Sequence, residues 1–71
     1  MFLFHSSVGV FWIKPHLGKF LLGINNDALG SYHSAVAAAD DVYTHVTGHF
    51  PWDILDGIED GPTDIYEWER N

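Results

Sequence analysis

By residue type, the groups able to do chemistry are the histidines and the clustered carboxylates. Asp41, His45 and His49 recur at i, i+4 and i+8, a spacing that on one unbroken helix would align three ligands for a divalent cation. Gly48 predicts a helix end ahead of His49, however, and imidazoles near a helix C-terminus suit the exposed carbonyls there. No metal site is therefore expected. Asp40 and Asp41 resemble an acid/base pair, but adjacent helical residues point about 100° apart around the axis, so they do not face one another. A general acid also needs a dry pocket to raise its pKa, and nothing in the sequence supplies one.

Nucleophilic and phosphate chemistry lack their motifs. The chain has no cysteine, no Gly-x-Ser-x-Gly and no Gly-x-x-x-x-Gly-Lys. The absence of cysteine also removes disulfide staples and thiolate metal sites. Seventy-one residues leave little room for a substrate pocket beside a core. The sequence predicts a non-enzymatic protein without cofactor.

The elements that must position these groups are readable from pattern. Val8 to Ile13 is β-branched and aromatic, and Lys14-Pro15-His16-Leu17-Gly18 is expected to break the run. Lys19–Ile24 is a second strand candidate, Asn25-Asn26-Asp27 a turn, and Ala28–His33 a third short strand. Phe2–His5 either extends the first strand or forms a separate edge. Ser34 is a good N-cap for a helix that runs to Gly48, with Val36, Ala39, Val42, Tyr43 and Val46 on one face. Beyond it, Pro51 starts a short helix through Leu55, and Thr63 or Asp64 caps a last turn through Trp68. The expected fold is α+β, a single domain over residues 1–71. Strands over 1–33 form a three-stranded antiparallel sheet packed by one helix over 34–48. An acidic, aromatic segment of short helical turns over 49–71 completes it.

Charge is the strongest sign of function. Residues 40–71 hold nine carboxylates against Arg70 alone, a local charge of −8, while residues 1–39 hold Lys14 and Lys19 against Asp27. Clustered charge of one sign repels nucleic-acid phosphates and anionic lipid, and it attracts a basic protein surface. The carboxylates alternate with aromatics, an arrangement suited to anchors ringed by steering charge. The expected partner-binding residues are Asp40, Asp41, Trp52, Asp53, Asp56, Glu59, Asp60, Asp64, Tyr66, Glu67, Trp68 and Glu69, with at least one of the two tryptophans in the core. Met1-Phe2-Leu3-Phe4-His5 has no basic n-region, and no apolar run approaches the roughly 20 residues that span a bilayer, so a cytoplasmic protein is expected.

Phe11-x-Ile13-x-Pro15, Gly30-Ser31-Tyr32-x-Ser34, Ala37-Ala38-Ala39-Asp40-Asp41-Val42, Thr47-Gly48, Trp52-Asp53 and Trp68-Glu69 together resemble small acidic proteins of bacterial and prophage genomes. The strand order followed by an Ala-Ala helix is also similar to AP2-type DNA-binding domains. That likeness implies topology alone, because the sheet region offers only Lys14 and Lys19 where those domains read DNA. Size, charge and lack of catalytic motifs resemble DNA-mimic inhibitors, including anti-CRISPR proteins. The resemblance implies an inhibitor that fills the nucleic-acid groove of a basic protein, as a monomer or weak homodimer. The alternatives are an immunity protein or antitoxin against a basic nuclease, and a structural homodimer that pairs sheets through Phe2–Phe4.

Overall fold

Short apolar runs separated by turn formers fill the first thirty-two positions and give way to a helical spacing after Ser34, and the structure follows that change. The computed structural model describes residues 1–71. Its elements are β1 (Phe2–Ser6), β2 (Gly9–His16), β3 (Lys19–Ile24), β4 (Asp27–Tyr32), α1 (Ala35–Tyr43), α2 (Phe50–Asp53), a 3-10 turn (Ile65–Glu67) and β5 (Glu69–Arg70). All strand pairs are antiparallel, in the order β4-β3-β2-β1-β5.

The α+β expectation holds, with an antiparallel sheet packed by one main helix. The strand count does not: the sheet has five strands rather than three. Ser6 and Gly9 face each other across a two-residue turn, so Phe2–Ser6 becomes a strand of its own. Glu69–Arg70 then pairs with Phe2 and Leu3 on its other side. β5 thus covers the outer side of β1 at Phe2 and Leu3, while Phe4–Ser6 have no β5 partner.

The expected break at Lys14-Pro15-His16 is also absent. Pro15 continues β2 because β1 stops opposite Ile13, leaving no strand to receive the N–H that proline lacks. The reversal falls instead on Leu17 and Gly18, whose φ values of 52° and 78° give both central residues the left-handed backbone of a tight hairpin.

Register and alternation sort the side chains into two faces. Phe4, Phe11, Ile13, Leu22 and Ile24 point toward the helices and build the core, with Phe2, Phe20 and Tyr32 at its margin. Leu3, His5, Val10, Trp12, Lys14, Leu21 and Gly23 point the other way. α1 is capped as expected, with Ser34 Oγ accepting from Ala37 N at 3.1 Å. Its buried face, however, is Ala38, Ala39 and Val42, while Val36, Tyr43 and Val46 are exposed. Positions 35, 38, 39 and 42 have the same helical spacing as the expected stripe. Their small side chains let the helix approach a sheet whose own residues are bulky.

The helix ends at Tyr43 rather than near Gly48. Thr44 is its C-cap, and His45 takes the left-handed position beyond it at φ 59°. His45 N bonds Val42 O at 3.2 Å and Val46 N bonds Asp41 O at 3.0 Å, the paired closure of a Schellman motif. Glycine usually fills that position. Here a histidine does, and its ring stacks on Trp52 at 4.4 Å between centroids and 13° between planes. Trp52 itself is 0% exposed. It meets Phe4 and Phe11 edge-on at 5.7 and 5.3 Å and donates Nε1–H to Val42 O at 2.9 Å. Burying one such ring is worth about 4–6 kcal/mol as an upper figure.

Candidate protein-binding surface

The segments that follow the sheet cover only the Phe4/Phe11 side. Trp52, Ile65 and Trp68 insert into the core there and draw α2 and the 3-10 turn down onto it. Between Asp40 and Trp68 this covering layer holds eight carboxylates and not one lysine or arginine. Glu69 lies on β5 in register with Leu3 and so belongs to the opposite face.

Most of these carboxylates are held in place. Asp41 Oδ2 accepts from Tyr32 Oη–H at 2.7 Å. Burial first, then this hydrogen bond and the Asp41 charge, hold the Tyr32 phenol above its ordinary pKa. Asp53 ties the loop before α2: its Oδ1 accepts from Thr47 N at 3.0 Å and Thr47 Oγ1 at 2.8 Å, and its Oδ2 from Gly48 N at 2.9 Å. Glu59 reaches across to the β1–β2 turn, where Oε2 accepts from Ser7 N at 3.0 Å and Oε1 from the Ser7 hydroxyl. Those two bonds, the hydroxyl's the stronger cause, hold its carboxyl below the usual range, with the nearby His45 adding to the effect. Asp64 Oδ1 caps the 3-10 turn through Tyr66 N at 2.8 Å, and Glu67 Oε1 accepts from Thr63 N at 2.7 Å. Asp56 and Glu69 lie near His45 and His5 at 3.7 and 3.8 Å.

Neutral donors position a carboxylate without cancelling its charge. No lysine or arginine comes within ion-pair distance of any carboxylate; the two close side-chain contacts are with histidine rings. Lys14 lies instead over the Trp12 ring at 5.3 Å, and the Arg70 guanidinium over Phe2 at 5.2 Å. No lysine or arginine offsets the charge of this layer.

Two expected anchors are corrected. Trp52 and Trp68, at 0% and 3% exposure, lie in the core and cannot touch a partner. A core this small has few other large rings with which to exclude water from the space between sheet and helix. Tyr66 stays outside at 87% exposure. Sequence reading passed over Phe50, Ile54 and Ile58, which are exposed on the same layer, as are Val36, Tyr43 and Val46. Ile54 N bonds Phe50 O, which sets these two apolar side chains one turn apart beside Asp53 and Asp56. Their i, i+4 spacing was the available signal, masked by the expectation that apolar residues here turn inward.

The Asp41–His45–His49 stripe does not assemble. Asp41 bonds Tyr32, and the His45 side chain, 2% exposed, places Nε2 at 2.8 Å from Glu59 O. The structure brings no three histidine, aspartate or glutamate side chains to a metal-binding geometry. No helix is long and apolar enough to cross a membrane. Comparison with protein-family models, characterised proteins and solved structures finds no match.

Proposed function

We propose that this protein acts by binding, and that its acidic layer docks on a basic surface of another protein, in the manner of a DNA-mimic inhibitor such as an anti-CRISPR protein. The observation that carries this reading is the run of eight carboxylates from Asp40 to Glu67 with no lysine or arginine among or beside them. Side chains tethered by backbone and hydroxyl donors hold their negative oxygens at fixed spacing, as a phosphate backbone does, and lose little entropy on docking. Phe50, Ile54 and Tyr66 take the anchoring role first expected of the tryptophans, since exposed rings and branched chains supply the desolvated contact that charge alone does not.

The test exploits the difference between tethered and free carboxylates. Asp40 and Asp60 make no side-chain hydrogen bond, so Asp40→Lys/Asp60→Lys removes charge from the surface without cutting a structural tie. Affinity capture from host lysate at low and high salt should yield a basic protein whose binding falls steeply as salt rises. The double variant should weaken that capture at least tenfold while keeping the melting temperature. Unchanged capture by the variant, or capture indifferent to salt, would reject the reading.

A further inference from the structure

The one cavity of the molecule lies away from the acidic layer, at the end of the sheet where β1 stops and α1 starts. It measures about 530 Å³ and is lined by Phe2, Pro15, Phe20, Ala35 and Arg70 together with Met1 and Asn71, where the Met1 ammonium donates to Asn71 O at 2.8 Å. Its position follows from the topology. Arg70 and Phe2 pair across β5 and β1, Pro15 and Phe20 pair one helix-side step further out across β2 and β3, and α1 begins only at Ala35, so this end of the sheet is left uncovered. The walls are two phenyl rings and a proline, which brings no backbone N–H.

In its side chains this corner differs from the acidic layer. No acidic side chain lines it, although the sequence carries ten carboxylates against three lysines and arginines. Its one charged side chain is Arg70, whose guanidinium rests on the Phe2 ring at 5.2 Å and has no carboxylate within ion-pair reach. The first turn of α1 beside it holds no acidic residue either. A planar cation with its fork unoccupied, above an apolar floor, matches a ligand with one carboxylate and one flat ring. The volume is within the range of small-molecule sites.

We infer that this cavity is a binding site for a small aryl carboxylate, with the ring between Phe2, Pro15 and Phe20 and the carboxylate forked on Arg70. A phosphate ester fits less well, because a doubly charged group needs more donors than one arginine offers. The site shares no residue with the acidic layer, so either reading can fail without the other.

The test uses the full chain labelled for two-dimensional amide NMR and titrated with 3-phenylpropionate, with neutral 3-phenylpropionamide as control. Saturable shifts at Phe2, Phe20, Ala35 and Arg70 are expected, with a Kd near 1 mM or tighter. The amide should bind about tenfold more weakly, Arg70→Gln should lose a similar factor, and Arg70→Lys should fall between, keeping the charge without the fork. The Leu3 and Glu69 amides report in the same spectra whether β5 stays paired; if Arg70→Gln frays it, the acid–amide ratio and Arg70→Lys decide. Absence of saturation to about 10 mM, equal binding of acid and amide, or shifts centred elsewhere would overturn the assignment.

Discussion

The two faces of the sheet solve the same problem, how to seat a tryptophan in a small domain, in opposite ways. On the covered face Trp52 is fully enclosed, stacked on His45, and bonded to the last turn of α1. On the open face Trp12 lies flat on the sheet across Gly23, where a Cβ would sit only 2.0 Å from its ring. Its Nε1–H bonds Asn25 O at 2.8 Å, and Lys14 covers it in place of a helix. The contrast shows that ring area is not what separates core from surface here. Coverage is, and coverage comes from the segment that also carries nearly all the negative charge.

The largest effect that would sharpen the contrast is truncation of the covered ring. Trp52→Ala should lose about 3–5 kcal/mol in denaturant unfolding, enough to leave a domain of this size largely unfolded. Trp12→Ala should lose clearly less. If the two losses were equal, the open face would be carrying core weight.

Next comes Gly23→Ala. Its methyl group cannot coexist with the Trp12 ring as placed, so the ring must swing out and surrender the Asn25 bond. A loss of about 1–3 kcal/mol is expected, with a change in tryptophan fluorescence toward an exposed indole. An unchanged spectrum would mean that the ring has another resting place.

Within the covered face, the two tryptophans differ in their N–H groups. Trp52 Nε1–H has Val42 O, whereas Trp68 Nε1 is buried without an acceptor in the chain. Trp52→Phe should therefore cost about 1 kcal/mol more than Trp68→Phe, because only the former removes a buried hydrogen bond, leaving Val42 O with His45 N as its one donor. Thermal or urea unfolding of the pair measures the difference directly.

At the hairpin that joins the open-face strands, Leu17 is 90% exposed at φ 52°. Asparagine tolerates that backbone better than leucine, so Leu17→Asn should gain about 0.5–1 kcal/mol. No gain would indicate that the leucine packs on something in solution.

The smallest effect is in acid. Glu59 is held below its ordinary pKa of 4.5 by Ser7. A carboxyl with a depressed folded pKa stabilises above its unfolded value, and that contribution fades as pH falls through the folded one. Glu59→Gln should lower the melting temperature at neutral pH and converge with the parent in acid. A constant gap at every pH would assign the loss to packing rather than to ionisation.

Much of this was legible in residue order. β3 runs over Lys19–Ile24 as its apolar run and the flanking turn formers require, because both signals are local. Ser34 caps α1 for the same reason, and of the two candidates Thr63 and Asp64 the second caps the last turn. The segregation of charge was legible too, since it needs no fold to be counted. Residue order leaves Phe2–His5 open between an extension of the first strand and a strand of its own, and β5 was not legible, because it exists only through a partner distant in sequence, Arg70 against Phe2. The buried face of α1 was hidden by degeneracy, with alanine and valine stripes of equal spacing competing for one sheet. Which aromatics anchor the surface was likewise open, because Trp52, Phe50 and Tyr66 look alike as strings.

Sequence alone determined that this chain builds strands first, one capped helix second, and a carboxylate-rich remainder with almost no cations, for these follow from backbone preference and composition. Tertiary structure decided which rings the remainder buries, that its carboxylates are fastened by neutral donors, and that Arg70 is left beside an apolar cavity. Those outcomes depend on which distant surfaces meet. That is settled by shape and exclusion of water between them, and neither quantity belongs to any residue taken by itself.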